Sequence, residues 1–310
     1  MPVSDREPRW DLVDSIVSDR STNLHIPDLD AGFGLQIRTM VGLSIPSMYE
    51  ELARHVDVAG IRRRGLSSAV TFAEFERLAR PLAVAAPLHT RVETRQCELS
   101  GHGLGHPAAR LGFDIQYTFS SPGGRGDPLR YREITDPQPA PRGRGRLLLT
   151  LIRPFAPRRE RLVTETPKET GHLRVHRLDA PHPTVKSLGA VSADHREIDF
   201  PASEHRGFFG RHHTDTNQSV FTGDYLSVMV AHATTLLGVA GLPVGRHSVE
   251  RIAAVFKAPF SAGAEYVIRA RLYGDGDSTV ALVGLHAILN GKPTLRPAVF
   301  GRIEGTMDAG

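Results

Sequence analysis

Apolar and polar residues alternate along several segments in each half of the chain. The segments lie at 66–75, 87–99, 110–120 and 146–155 in the first half, and at 249–257, 264–273, 278–289 and 293–303 in the second. Alternation with a period of two is typical of a strand that buries one face. The hydropathy pattern therefore predicts an antiparallel sheet in each half.

An apolar helix precedes the strands in each half. In the first half the helical pattern covers residues 47–56, with Ser47 as its N-cap. In the second half it covers residues 225–237, directly after a loop rich in glycine and histidine. One helix along one sheet leaves an open side, which a second copy of the same unit would cover.

Turn-forming residues separate the predicted strands. The sequences GDGD at 274–277 and NG at 290–291 are hairpin signals. The stretches 120–128 and 137–146 contain so much proline and glycine that we predict loops there rather than strand interiors.

A proline-rich stretch with little apolar periodicity, residues 156–196, indicates a connection between two units. We expect an N-terminal arm at 1–30, a first, degenerate domain at 31–165, a linker at 166–196, and a second domain at 197–310 that carries the candidate site.

The two halves also share an order of landmarks. When Tyr49 is aligned with Tyr225, a proline follows in each half at a similar distance, and an arginine ten residues after it. These landmarks are Pro81 and Arg91 in the first half, and Pro259 and Arg269 in the second. The sequence therefore predicts an α+β protein made of a tandem repeat, each half a long helix wrapped by a curved antiparallel sheet.

Composition narrows the class of protein. The 310 residues are 40% hydrophobic and 23% charged, which is ordinary for a globular protein, and the N-terminus lacks the pattern of a secretory signal. We expect a cytoplasmic protein without a membrane partner.

Lysine and arginine total 38 against 34 acidic residues, but the basic residues are dispersed, so nucleic acid is not an expected partner. Short arginine clusters such as 62–64 are expected on the surface, with phosphate contacts to a coenzyme A arm as the alternative.

Cys97 is the only cysteine, which excludes an intrachain disulfide and a thiolate metal cluster. Its place in an alternating run predicts a packed strand thiol rather than a nucleophile. No cofactor is expected.

The densest polar sequence, HHTDTNQSVFTGDY at 212–225, lies just before the second helix. It resembles the hot-dog thioesterases of the 4-hydroxybenzoyl-CoA and acyl-ACP type, which carry D-x-N-x-H-V-N-x-x-x-Y or D-x-x-G-x-V at this place. Asp215, Asn217, Val220 and Tyr225 match the first pattern. The stretch 256–263 is similar to the family's F-x-x-P-x-x-x-G bend, so the resemblance covers about a hundred residues.

The resemblance implies a tandem hot-dog protein that acts on an acyl-CoA or acyl-carrier-protein thioester, in fatty-acid or polyketide-type metabolism, and that can form a homodimer. Asp215 would be the general base or nucleophile, because a carboxylate ahead of a helix N-terminus can act on a carbonyl polarised by the helix N–H groups. The other candidate catalytic residues are His213 and Asn217. Candidate substrate-binding residues are Gln218, Ser219, Phe221, Gly223, Asp224 and Tyr225. No metal site is expected.

The chain departs from the family pattern where H-V-N is replaced by Ser219, Val220 and Phe221. Dehydration, hydration or cyclisation of a carrier-bound chain, acyl transfer, and acyl binding without catalysis therefore stay open beside hydrolysis. Asp215 could also simply cap a turn, and His213 could lie on the surface. The Tyr49 alignment places Thr39 opposite Asp215, which predicts at most one site per chain.

Overall fold

The computed structural model describes residues 12–30, 32–78, 81–99, 110–157, 160–178, 181–200, 204–214 and 219–307. The helices are α1 (Ile37–His55), α2 (Val58–Arg63), α3 (Val185–Leu188) and α4 (Thr222–Val239). The strands are β1 (Ile16–Asn23), β2 (Ser67–Arg77), β3 (Pro87–Leu99), β4 (Arg110–Gly124), β5 (Ile134–Ile152), β6 (Val175–Arg177), β7 (Arg196–Ile198), β8 (His205–Phe208), β9 (His247–Phe256), β10 (Glu265–Asp275), β11 (Ser278–Leu289), β12 (Lys292–Pro293) and β13 (Val299–Met307).

The two halves share one continuous sheet with the main order β1-β3-β4-β5-β2-β9-β13-β11-β10-β7. The seam between the halves is the antiparallel pair β2 and β9, in register from Phe72 opposite Val255 to Glu76 opposite Arg251. Outward from this seam the strands follow the same chain order in both halves: first, last, third and second of the four main strands. This repetition confirms the predicted tandem hot-dog architecture.

Helices α1 and α4 lie on one face of the sheet and contact each other. Their buried residues, which include Met40 and Met48 of α1 and Tyr225 and Met229 of α4, belong to one apolar core that continues across both halves. The core buries the sheet face of each half, which a single half would leave partly exposed to water.

The first helix begins ten residues before the predicted start. Its N-cap is Gln36, not Ser47, and the helix runs through Pro46, with Ser47 buried and its hydroxyl donating to the Leu43 carbonyl. Proline normally breaks a helix because it lacks the N–H donor. Here the apolar residues on both sides of Pro46 are buried in the core, and this packing offsets the lost hydrogen bond.

The prediction of a loop at 137–146 was wrong, because β5 runs through it. The prolines of this stretch lie where β5 pairs with β4 alone, and pairing with β2 begins only at Gly143. A proline can occupy a strand where one side needs no ladder hydrogen bond. The β4–β5 register also shifts several times in this region, as expected of an irregular ladder.

Other strands match the sequence prediction closely. The strand β3 spans residues 87–99 and β11 spans 278–289, as predicted. The turn between β11 and β12 has positive φ at both central residues, 52° at Asn290 and 75° at Gly291, which identifies the predicted Asn-Gly hairpin.

The connection between the halves covers the opposite face of the sheet. Leu178, Val185 and Leu188 pack there against a second, smaller apolar cluster that contains Cys97 and Leu148. Among the described residues, no helix is both long enough and apolar enough to cross a membrane.

Candidate functional site

The loop between β8 and α4 is closed at its base by backbone pairing. Thr214 and Val220 form an antiparallel bridge, and the Phe221 N–H donates to the His213 carbonyl at 2.8 Å. Ser219 forms a further bridge with Ser261, in the bend after β9. The residues that flank positions 215–218, Thr214 and Val220, are therefore paired with each other close to the N-terminus of α4. Asp215, Asn217 and Gln218 themselves lie outside the described residues.

The N-terminus of α4 has the properties of an anion-binding element. Phe221 is its N-cap and supplies no side-chain acceptor. Within the described part of the chain, the N–H groups of Thr222 and Gly223 donate to no acceptor. Free N–H groups and the helix dipole at this end favour a negative charge.

Gly223 lets the first half approach this helix end closely. A Cβ atom at Gly223 would lie 3.0 Å from the Phe221 ring and 3.2 Å from Val41 of α1. The first turn of α4 is therefore in contact with a residue of the other half. No pattern in the sequence indicated Val41, because this contact depends on how the two halves pack.

His213 and Asp224 flank the loop, His213 directly before it and Asp224 in the first turn of α4. The Gly210 N–H donates to His213 Nδ1 at 3.0 Å, so a neutral His213 carries its proton on Nε2. Its ring packs on the His212 ring, with centroids 3.9 Å apart, and against the edge of Phe209. Burial raises the pKa of the Asp224 carboxyl, while the neighbouring His213 and His212 lower it.

An aromatic cluster of Phe209, Tyr225, Phe256, Phe260 and Tyr266 lies beneath the loop. The buried Tyr225 hydroxyl accepts a hydrogen bond from the Phe260 N–H at 2.8 Å. The cluster forms an apolar wall at the start of α4, as a site for an acyl chain would require. The sequence signals for this cluster were Tyr225 and the predicted bend at 256–263.

The first half contains a counterpart of this loop that the sequence analysis missed. Asp30 lies seven residues before the start of α1, as Asp215 lies seven residues before the start of α4. The bridge between Leu29 and Leu35 corresponds to that between Thr214 and Val220. The alignment of Tyr49 with Tyr225 was therefore wrong, and with it the assignment of Thr39 to this position.

The Asp30 carboxylate is fully engaged. One oxygen accepts from the N–H groups of Gly32 and Gly34, each at 2.9 Å, and the other pairs with the buried Arg77. Arg77 also pairs with Glu250 of the second half at 2.7 Å. These partners tie the Asp30 carboxylate to its own loop and to Arg77.

Three solved structures have a similar fold along nearly the whole chain. The 12:0-ACP thioesterase from Umbellularia californica has a TM-score of 0.62 at 13% identity, and the match covers 94% of this chain and 95% of that one. An acyl-ACP thioesterase from Bacteroides thetaiotaomicron VPI-5482 has a TM-score of 0.55 at 10% identity, covering 93% and 97%. A protein assigned as an oleoyl thioesterase from Lactobacillus plantarum has a TM-score of 0.61 at 10% identity, covering 95% and 97%.

No protein-family model matches the sequence, and no curated protein sequence matches it. At these low identities the similarity establishes the fold. The chain has the tandem hot-dog fold.

Proposed function

We propose that this protein hydrolyses an acyl thioester carried by acyl carrier protein or coenzyme A, at the N-terminus of α4. The observation that supports the proposal most directly is the loop geometry. Backbone bridges bring Thr214 and Val220, which flank positions 215–218, to a helix end whose Thr222 and Gly223 N–H groups have no acceptor among the described residues, above an apolar aromatic wall.

In this proposal the α4 N–H groups hold the thioester oxygen as negative charge develops on it. Asp215 acts as general base toward water or as the nucleophile, and Asn217 and Gln218 orient the water or the substrate. His213 assists proton transfer, while Ser219, Phe221, Gly223, Asp224 and Tyr225 line the acyl group. The substrate would come from fatty-acid or polyketide-type biosynthesis, and a homodimer would be the working form.

The direct test is release of free thiol from a panel of acyl-CoA and acyl-carrier-protein substrates of different chain length. For the variant Asp215→Asn we expect thiol release to fall by about 10²–10⁴-fold with the substrate that the native chain uses best, which is the usual contribution of a positioned acid–base group. The matched control is Asp275→Asn, on an exposed hairpin residue far along the chain, which should leave turnover unchanged.

Two results would contradict the proposal: no thiol release from any substrate, or full activity in Asp215→Asn. The second candidate function is acyl binding without hydrolysis, which the replacement of the family's H-V-N by Ser219, Val220 and Phe221 favours. Thermal stabilisation by acyl thioesters that are recovered intact would select it. Loss of water from a hydroxyacyl chain, without thiol release, would instead select a dehydratase.

A further inference from the structure

The bend between β9 and β10, residues 257–264, contacts the chain on both sides of the candidate loop. Before the loop, the Gly263 N–H donates to the Phe209 carbonyl at 2.7 Å. After the loop, the Val220 N–H donates to the Phe260 carbonyl at 2.9 Å. The β9–β10 bend therefore sets the positions of the residues that enclose the loop.

Phe260 also connects this bend to helix α4. While its carbonyl accepts from Val220, its N–H donates to the Tyr225 hydroxyl at 2.8 Å. Tyr225 lies one turn into α4, which begins at Thr222, and its side chain is buried. The Tyr225 hydroxyl is therefore a link between the start of α4 and the bend that contacts the loop.

The ring of Tyr225 has a separate role from its hydroxyl. Its centroid lies 5.3 Å from that of Phe209, 5.6 Å from that of Phe256 and 5.9 Å from that of Phe260. A phenylalanine at position 225 can keep these ring contacts but cannot accept the Phe260 N–H. One substitution therefore separates the apolar wall from the hydrogen-bonded link.

Small shifts between the bend and α4 matter for the proposed chemistry. The N–H groups of Thr222 and Gly223, which have no acceptor among the described residues, can stabilise an oxyanion only at hydrogen-bond distance. A misplacement of about 1 Å in an active site can cost ~10²-fold in rate. A buried hydrogen bond that fixes the bend relative to α4 therefore bears directly on turnover.

We propose that Tyr225 is a positioning residue for the acyl reaction. Its hydroxyl holds the β9–β10 bend, and through Phe260 and Val220 the end of the loop, at a fixed place relative to the α4 N-terminus. The effect on turnover rests on the proposed function, whereas the effect on the bend does not. In this role the hydroxyl bonds to the protein, and only the ring lines the acyl group.

The test compares the native chain with Tyr225→Phe, at a temperature where circular dichroism shows both to be fully folded. We expect kcat for thiol release to fall about 10- to 10²-fold, because the reacting groups lose their alignment. KM should change by less than about threefold, since the ring that lines the acyl group is kept. A residue that served only to bind the acyl chain would raise KM instead.

Hydrogen exchange provides a readout that needs no substrate. In Tyr225→Phe the Val220 N–H, which donates to Phe260, should exchange faster than in the native chain. Exchange in the β9–β13 ladder should stay unchanged, because that ladder does not depend on the Tyr225 hydroxyl.

Arg142→Met is the control for a general loss of stability. Arg142 is buried in β5 of the first half, and its Nε donates to the Ser121 carbonyl at 3.0 Å. Its substitution also removes a buried hydrogen bond, so Tm should fall, but kcat of the folded variant should equal that of the native chain.

Gly263→Ala tests the same bend if Tyr225→Phe does not fold. Gly263 has a φ of 80°, which strains an alanine, although its Cβ atom would meet nothing within 4 Å. We expect a fall in kcat with KM nearly unchanged. The matched control is Gly241→Ala, with a φ of 77° and equally open space beyond the other end of α4, which should keep native kcat.

Three results would overturn the proposal: native kcat in Tyr225→Phe, or in Gly263→Ala where Tyr225→Phe is unfolded; native exchange of the Val220 N–H in Tyr225→Phe; or an equal loss of kcat in Arg142→Met. No thiol release by the native chain would contradict the proposed function instead. The exchange measurement would then still decide whether the Tyr225 hydroxyl holds the bend.

Discussion

At the scale of single residues, the surroundings of Cys97 determine whether its thiol can react. The side chain is fully buried in the smaller apolar cluster, beside Leu99 and Leu148. Burial, with a smaller contribution from Asp114, raises the pKa of the thiol to about 12. The thiolate that reacts with disulfides is therefore almost absent at neutral pH.

We expect the native chain to be inert toward a disulfide reagent such as DTNB at pH 8, and the chain in denaturant to release one equivalent of chromophore. Rapid stoichiometric labelling of the native chain would contradict the burial of Cys97. The same inertness keeps the protein from contributing to the background of the thiol-release assay.

Tyr225 provides a second test at this scale, because its ring and its hydroxyl have separate roles. The ring belongs to the aromatic cluster, and the hydroxyl accepts the Phe260 N–H. Tyr225→Phe keeps the ring and leaves a buried N–H group without that acceptor, so we expect unfolding free energy to fall by about 1–3 kcal/mol in urea titrations.

Tyr273→Phe is the control for Tyr225→Phe. The Tyr273 hydroxyl makes no hydrogen bond to the described residues, so its removal should cost less than about 0.5 kcal/mol. Equal losses for the two variants would show that the hydroxyl of Tyr225 contributes nothing specific.

At the scale of elements, the sequence predicted what is decided locally. The alternating strands β3 and β11 and the Asn290–Gly291 turn follow from side-chain pattern and backbone preference, and they were placed correctly. The start of α1 and the course of β5 depend on tertiary packing that overrides the local effect of proline. The sequence therefore did not place them correctly. The late start assigned to α1 also concealed Asp30, because the repeat could be aligned only from the true helix starts.

Each half places a methionine of its helix over a glycine of its last main strand. A Cβ atom at Gly143 of β5 would lie within contact distance of the Met40 sulfur, and one at Gly301 of β13 would meet the methyl group of Met229. Neither glycine is needed for a positive φ angle. Their function is to let the helix lie close to the sheet.

Gly301→Ala should therefore destabilise the chain by about 1–3 kcal/mol through overpacking. Met229→Ala should cost less unfolding free energy in the Gly301→Ala variant than in the native chain, because the truncated side chain makes room for the added methyl group. Urea titrations of the two single variants and the double variant measure this coupling. If the losses of unfolding free energy in the two single variants simply add in the double variant, the Met229 contact is not the reason for a glycine at position 301.

At the scale of the whole molecule, the β2–β9 seam and the shared core join the two halves into one structure. We propose that the repeats are residues 31–165 and 197–310, joined by a linker at 166–196. The strand β1, before the first repeat, also extends the sheet by pairing with β3. A molecule joined in this way should unfold in a single cooperative transition.

Arg77 connects the two halves through a buried ionic network. Its buried guanidinium pairs with Asp30 in the loop before α1 and with Glu250 in β9 of the second half. Removing one member of a buried ionic network leaves the remaining charges without compensation, which costs about 3–5 kcal/mol. We therefore expect Arg77→Met to lower the unfolding free energy by that amount, whereas Arg144→Met, which breaks an exposed pair with Glu76, should cost at most about 1 kcal/mol.

The Arg77 network also predicts a change in cooperativity. Because Asp30 is bound to the second half through Arg77, Arg77→Met should loosen the loop before α1 before the rest of the molecule unfolds. Hydrogen exchange of the Gly32 and Gly34 N–H groups, which donate to Asp30, should then become faster than exchange in the β2–β9 seam. Unchanged protection of these two N–H groups in Arg77→Met would mean that the loop is held by its own turn, and that the seam and the core alone couple the two halves.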